Sequence, residues 1–214
     1  MIDNLINNLK NKQMKKILLP VIALCLLGFG PTSTKLTDQE RVIGALELTK
    51  THAYMMETLN GLSEEQLNFK SSPESWSIAE CVEHLAISEN ALDQMLQESL
   101  KTPADPSKRA DVKMTDKELM AMIRSRDTKV KTSEPFEPSG KFGSYEESLK
   151  AFQSKRKEHI IYMETTEDDL RNHYGQMPFG TIDAYQILMF ISGHTERHVK
   201  QMEEVKADKN FPNK

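Results

Sequence analysis

Cysteine is scarce in this chain, with only Cys25 and Cys81 among 214 residues. Two thiols cannot build a multi-disulfide scaffold, so the fold must be stabilised by burial of apolar surface. Glycine and proline are also few, nine of each, which excludes collagen-like and low-complexity chains. The hydrophobic share of 38% is too high for wholesale disorder and suits one globular domain.

Clustered positive charge is missing from most of the sequence. Residues 1–35 contain five Lys and one Asp, a net charge of +4, and since the whole chain carries −4, residues 36–214 carry −8. A protein that binds a nucleic-acid backbone needs Lys and Arg gathered on one face, and the acidic part has no such stripe. The sequence therefore predicts no nucleic-acid partner.

No apolar run is long enough to span a membrane. Met14-Lys15-Lys16 precedes a run of 13 apolar residues, Ile17–Phe29, whereas a spanning helix needs about 20. A basic start followed by a short apolar run predicts a secretory signal peptide in residues 1–34. Met14 gives the usual short basic beginning, so residues 1–13 are interpreted as an upstream extension. We expect export to the periplasm or the exterior, without a lasting membrane anchor.

The two cysteines fit this interpretation. Lipid modification at Cys25 is disfavoured, because bulky Leu24 precedes it and the apolar run continues beyond it. Cys81 alone remains after cleavage, as expected in an oxidising compartment where unpaired thiols are few. Its position among apolar residues predicts a small core side chain, not a nucleophile or a metal ligand.

Four long helices are predicted after residue 35, and three of them have a recognisable start. Three start with a Ser or Thr and a Glu three residues later, the pattern of a capping box: Thr37/Glu40, Ser77/Glu80 and Ser144/Glu147. The fourth is predicted to begin near Thr181 and to reach about Ala207. In the first helix, residues spaced by three and four predict one buried face. They are Val42, Leu46, Thr49, Ala53, Met56 and Leu59.

These helices, with no convincing alternating strand, predict an all-α four-helix bundle with short extra helices in the connections. The domain is predicted over residues 35–208, followed by a polar tail at 209–214. Two polar connections, 101–114 and 127–143, stand out. Long loops of this kind often form the rim of a site, so we expect them to control specificity.

Three histidines are candidate metal ligands. His194 and His198 stand four apart on the fourth long helix, which places both imidazoles on one face. His84 lies at the edge of the apolar arc of the second long helix. From spacing alone, hydrogen-bonded core histidines explain the pattern as well, because a metal site also needs correct tertiary placement. The remaining histidines have no partner at chelating spacing: His52, His159 and His173.

Several neighbours have two interpretations. Glu80 is predicted to cap its helix, with orientation of an imidazole as the alternative. Gln201 either hydrogen-bonds behind His198 or lies on a solvated face. Trp76 is predicted to anchor the entry to its helix, with a role in a cavity wall as the alternative. Glu196 and Arg197 are predicted on the outer side, unless Arg197 holds an anionic substrate.

Two segments together resemble a known family. They are Trp76–Leu85, with the sequence WSIAECVEHL, and Gly193–Gln201, with the sequence GHTERHVKQ. The Trp-Ser helix start, the Glu-His-Leu within that helix and the His-x-x-x-His-x-x-Gln of the fourth helix resemble the DinB-like (DinB/YfiT-like) metal-binding four-helix family. The resemblance spans about residues 40–206.

The resemblance implies a function. It implies that His84, His194 and His198 bind one divalent metal, commonly zinc or nickel, leaving open positions for water or substrate. Similar members include thiol-dependent transferases that act on small electrophiles, so the expected function is a metal-dependent hydrolase or transferase on an unidentified small molecule. The alternative is a non-catalytic metal- or ligand-binding bundle. The resemblance also allows a homodimer, although no sequence feature indicates one.

Overall fold

The structure is a computed structural model that describes residues 35–213, so the predicted signal peptide lies outside the described residues. Six α-helices and two strands follow in this order: α1 Asp38–Leu59, α2 Glu64–Asn68, α3 Ile78–Leu100, α4 Asp116–Arg124, α5 Tyr145–Thr165, β1 Tyr174–Met177, β2 Gly180–Asp183 and α6 Ala184–Lys206. Short 3-10 helices span Pro106–Asp111 and Glu134–Phe136.

Four long helices form the bundle. Helices α1 and α3 each pack against both α5 and α6, and the short α4 packs against α6. Helices α1 and α3 therefore occupy diagonal corners. This arrangement confirms the predicted all-α four-helix bundle with short extra helices in the connections. Within residues 35–213, no helix combines the length and the apolar character that crossing a membrane requires.

The three helix starts predicted from capping residues are confirmed. The hydroxyls of Thr37 and Ser77 accept the backbone N–H groups of Glu40 and Glu80, and both glutamates accept the cap residue's own N–H in return. Ser144 caps α5 by accepting the N–H of Glu147. Each cap satisfies backbone donors that have no partner within the helix, which fixes where the chain turns into the bundle.

The predicted buried face of α1 is wrong in register over most of the helix, and Leu59 is the predicted residue that is buried. Val42 and Leu46 are 64% and 45% exposed. The buried residues are instead Gly44, Leu48, Thr51, Met55, Thr58 and Leu59. Small and polar residues face inward because the interior holds groups that need them. A Cβ at Gly44 would stand 2.6 Å from Met163 Cε, and the Thr51 hydroxyl accepts from Arg156 Nη1 at 2.8 Å.

A β-hairpin precedes α6. The sequence predicted no strand here, and it predicted that the helix begins near Thr181. Strands β1 and β2 pair antiparallel, with Tyr174 opposite Asp183 and Met177 opposite Gly180. Gly180 has a φ of +133°, which glycine adopts without a steric penalty. The α6 helix starts only at Ala184, because the Asp183 carboxylate caps it by accepting the N–H of Gln186 at 2.7 Å.

The predicted polar tail returns to the body of the protein. Phe211 packs edge-on against Phe69, with ring centroids 5.5 Å apart. Gln66 Nε2 donates to the carbonyl of Pro212 at 2.9 Å. These contacts connect the end of the chain to α2.

A charged network lies inside the bundle. Arg156 is fully buried, and both Glu89 and His159 are almost fully buried. Arg156 Nε donates to Glu89 Oε1 at 3.0 Å, and Arg156 Nη2 donates to Thr195 Oγ1 at 2.6 Å. His159 contacts Glu89 Oε2 through Nδ1 at 2.8 Å and Asp93 Oδ1 through Nε2 at 3.2 Å. The network therefore connects α3, α5 and α6.

This network predicts a pH dependence of stability. Burial alone would lower the pKa of His159, but the hydrogen bonds and charges of Asp93 and Glu89 outweigh burial and raise it. The imidazole therefore stays protonated to a higher pH than a free histidine does. Its contribution to stability is complete below about pH 6.5 and is lost as pH rises through the raised pKa. The hydrogen bond from His159 is the largest of the causes that lower the pKa of Asp93 to about 2. The stability that the ionised Asp93 contributes is therefore lost only as pH falls towards 2.

The measurement is urea unfolding of the wild type and of His159→Gln between pH 5 and pH 9. We expect the stability difference between the two proteins to be largest at pH 5 to 6 and to shrink as pH rises. A difference that stays constant or grows with pH would contradict a protonated His159.

Candidate metal centre

Three imidazoles meet where α3 passes α6. His84 Nε2 lies 3.2 Å from His194 Nε2, and His198 Nε2 lies 3.1 Å from the same atom. The ligand atoms of all three residues lie within 4.8 Å of one another. The predicted candidate ligands are therefore brought together, two by their i, i+4 spacing on one helix and the third by packing of α3 on α6.

Hydrogen bonds on the far side of two rings determine which nitrogen faces the cluster. His84 Nδ1 donates to the carbonyl of Phe136 at 2.7 Å, since a carbonyl can only accept. His198 Nδ1 donates to Gln201 Oε1 at 3.0 Å. In a neutral imidazole only one nitrogen carries a proton. Both rings therefore present an unprotonated Nε2 lone pair to His194.

The imidazoles are neutral as well as close. Burial lowers the pKa of His84. Burial also lowers the pKa of His194 and His198 well below the usual value, and the neighbouring imidazoles lower it further. Neutral imidazole is the form that binds metal ions, so the cluster is in its ligating state at neutral pH.

The donor set fits a divalent cation. If His194 carries its proton on Nε2, that single N–H faces the lone pairs of His84 and His198. If it carries the proton on Nδ1, three lone pairs face one another with no donor between them. Zn–N bonds of about 2.0–2.1 Å in a tetrahedral site separate the nitrogens by about 3.3 Å, close to the observed 3.1 and 3.2 Å. A cation at the centre would satisfy all three nitrogens together.

Aromatic rings surround the cluster. Trp76 lies against two imidazoles, with centroids 4.8 Å from His84 and 6.1 Å from His198. Phe190 stacks on His194 at 5.8 Å, and Phe179, in the hairpin turn, stacks on Phe190 at 5.8 Å. Trp76 thus forms part of the wall of the site, and it also packs against the apolar core at the entry to α3, so both interpretations hold. These rings keep water from much of the cluster.

The predictions for the residues next to the three histidines are confirmed at Glu80 and wrong at Arg197. Glu80 is a helix cap, and its other oxygen accepts from Lys70 Nζ at 2.7 Å. Gln201 accepts a hydrogen bond from His198 Nδ1, which is the first of its two interpretations. The outer position predicted for Arg197 is wrong, because this residue is 8% exposed and its Nη2 donates to the carbonyl of Thr128 at 2.8 Å. The segment after α4 lies over this part of α6.

Residues that the sequence placed outside the site lie outside it. Cys81 is fully buried and burial raises its pKa to about 12, so it is a core thiol. His159 belongs to the charged network, and His173 Nδ1 donates to the carbonyl of Ser99 at 3.0 Å. His52 lies against Phe152, with ring centroids 6.2 Å apart.

The sequence did not identify the loop residues that contact the cluster. The carbonyl of Phe136 holds His84, and the carboxylate of Glu83 holds the same loop through two backbone N–H groups, of Ser139 and Lys141. A backbone carbonyl has no signature in the sequence. The only signal was the Pro and Gly content of residues 127–143, which indicated a loop at the rim of a site without saying which residues it contacts.

The fold and the cluster define a class, a four-helix bundle that gathers three neutral imidazoles from two of its helices. The family model of the DinB superfamily matches residues 47–202. The chain belongs to the DinB superfamily.

Two proteins of Bacillus subtilis are similar to this chain. YuaE of strain 168, an uncharacterized protein, is 29% identical over 155 residues, which cover 69% of this chain and 88% of YuaE. The solved structure of YfiT, described as a probable metal-dependent hydrolase with an unusual four-helix bundle topology, aligns with 83% of this chain and 91% of its own. Its sequence identity is 16% and its TM-score is 0.47.

Proposed function

We propose that this protein binds one divalent metal through His84, His194 and His198 and acts as a hydrolase or transferase on a small molecule. The observation that carries the proposal is the convergence of three Nε2 atoms that have too few protons to satisfy one another. Zinc and nickel are the metals proposed first, because both suit imidazole ligands. Three protein ligands are also the number typical of catalytic zinc sites.

A bound divalent cation lowers the pKa of a coordinated water and polarises a carbonyl or phosphoryl oxygen. The residues of the chain prepare the surroundings. Phe136 and Gln201 keep His84 and His198 in the tautomer that presents Nε2. His194 is less buried than the other two, so we propose that a small substrate approaches from its side.

One observation favours a non-catalytic metal- or ligand-binding bundle as the second candidate. Within residues 35–213, the far-side hydrogen-bond partners of the imidazoles are the Phe136 carbonyl and the Gln201 amide. Neither is an acid or a base that could transfer a proton during a reaction. The two candidates bind the same metal and differ in turnover.

The experiment compares turnover by the zinc-loaded and nickel-loaded wild type with that of two single-histidine variants. Substrates are small esters, amides and phosphoesters, and small electrophiles with an added thiol. We expect saturable turnover in the wild type and in His173→Ala, which removes a histidine outside the cluster, and its loss in His194→Ala. Metal binding without turnover on any of these substrates would favour the non-catalytic bundle, and turnover unchanged in His194→Ala would contradict the proposed site.

We also propose that the domain acts after export and on a small molecule, not on a nucleic acid. The basic and apolar segment at residues 14–29 and the net charge of −8 over residues 36–214 support this. Cell fractionation followed by amino-terminal sequencing tests it. We expect an exported protein with a mature terminus near residue 35, whereas an uncleaved chain in the cytoplasm would contradict export.

A further inference from the structure

Glu83 directly precedes His84 on α3 and is not part of the three-histidine cluster. Its side chain is 9% exposed. One carboxylate oxygen, Oε1, accepts two backbone N–H groups, from Ser139 at 3.2 Å and from Lys141 at 2.6 Å. A buried carboxylate is costly unless donors satisfy it. These two backbone donors satisfy Glu83, so it acts as a tether for the loop.

The loop is shaped for this tether. Gly140 stands between the two donors with a φ of +74°, a conformation that L-residues rarely adopt. Gly143, with a φ of +88°, closes the turn by donating its N–H to the carbonyl of Gly140 at 3.0 Å. Backbone N–H groups on both sides of a left-handed residue can point at one anion. The turn thus presents Ser139 and Lys141 to Glu83.

The same loop holds the neighbouring imidazole. Phe136 ends the short 3-10 helix Glu134–Phe136, and its carbonyl accepts from His84 Nδ1 at 2.7 Å. Two consecutive residues of α3 therefore hydrogen-bond to one loop, Glu83 at the Ser139–Lys141 turn and His84 at Phe136. If the turn were released, the carbonyl of Phe136 would lose its fixed place beside the imidazole.

We propose that Glu83 is a positioning residue that fixes the Phe136 carbonyl and thereby the His84 tautomer that exposes Nε2. The consequence for metal binding rests on the proposed function. Groups behind metal-ligating histidines orient the ring, and their loss typically lowers metal affinity about 10–100-fold. Glu83 exerts this effect one step further away, through the loop backbone.

The test uses the full chain and three variants. Glu83→Ala removes the acceptor. Glu83→Gln keeps an oxygen that can accept the same two N–H groups, so it is the conservative rescue. Gly140→Ala disturbs the turn from the loop side without a steric clash, because a Cβ at Gly140 meets nothing within 4 Å. Glu118→Ala is the matched control, since it removes a carboxylate that accepts a backbone N–H, that of Thr115, at the start of α4.

Two measurements compare the variants with the wild type. The first is ¹⁵N NMR of the His84 imidazole and hydrogen exchange of the Ser139 and Lys141 amides in metal-free protein. The second is the Kd for zinc by competition with a chelator. For Glu83→Ala and Gly140→Ala we expect faster amide exchange, a mixture of His84 tautomers and a Kd raised about 10–100-fold. For Glu83→Gln and Glu118→Ala we expect wild-type tautomers and a Kd within about threefold of wild type.

Two results would overturn the proposal. One is rapid exchange of the two amides in Glu83→Ala with an unchanged His84 tautomer and an unchanged Kd. The other is an equal loss in Glu83→Ala and Glu118→Ala, which would reduce the effect to general destabilisation. If the wild type itself binds no zinc, the proposed function fails, while the tautomer measurement still decides the positioning role.

Discussion

Replacing Glu89 by alanine is expected to lower the free energy of unfolding by about 3–5 kcal/mol, because it breaks a buried ion pair and leaves the other charge uncompensated. Arg156 is fully buried and donates to both Glu89 and Thr195. His159 would lose the carboxylate at its Nδ1 as well. Two cations would then remain inside the bundle with one of their main partners removed. Urea unfolding of the purified protein measures the effect.

Glu158→Ala provides the control on the same network. Glu158 lies on the exposed side of α5 and pairs with Lys155 at 2.6 Å, and its side chain is 58% exposed. Exposed pairs contribute about 0–1 kcal/mol, so this variant should remain close to wild type. A loss below about 1 kcal/mol in Glu89→Ala would show that the network contributes little to the folded state.

Zinc is expected to stabilise the wild type strongly and His194→Ala hardly at all. A ligand that binds only the folded state at about 1,000 times its Kd adds about 4 kcal/mol to the free energy of unfolding. His194 Nε2 is the atom that both other imidazoles approach, at 3.2 and 3.1 Å. Its removal leaves two ligands, so the rise in melting temperature with zinc should disappear.

The control for this measurement is His173→Ala, which removes an imidazole that donates to the carbonyl of Ser99. This variant should melt at a lower temperature than wild type yet keep the full zinc-dependent rise. An equal rise in His194→Ala would place the zinc elsewhere, and no rise in the wild type would mean that the cluster binds zinc weakly or not at all.

The bundle could be predicted from local signals. Capping residues such as Thr37 and Ser77 mark helix starts by satisfying backbone donors close in sequence, and the structure uses them where they were expected. The hairpin before α6 could not be predicted in this way. Its strands are four residues each, too short for alternation to show, and its position depends on Asp183 acting as the cap of α6.

The buried face of α1 shows a different limit. Apolar periodicity assumes that polar residues face solvent, so Val42 and Leu46 were assigned to the core. Thr51 is buried because Arg156, 105 residues later in the sequence, needs an acceptor there. A buried charge thus reverses the usual pattern, and only the tertiary structure shows where it lies.

The three candidate metal ligands could be predicted from the sequence, but the contacts that hold them in place could not. His194 and His198 follow from helical spacing, and His84 was assigned to the same site through the resemblance. The contacts of Phe136 and Glu83 depend on a loop 52 to 58 residues further along the chain. On the loop side these contacts use backbone N–H and C=O groups, which leave no side-chain signature in the sequence.

The most direct test of the metal centre is the metal content of the protein purified without a histidine tag, measured by mass spectrometry. The comparison is a triple variant, His84→Ala/His194→Ala/His198→Ala. We predict close to one equivalent of zinc or nickel per chain in the wild type and none in the variant. A wild type that holds no metal, even after dialysis against both ions, would contradict the metal centre and the proposed reaction with it.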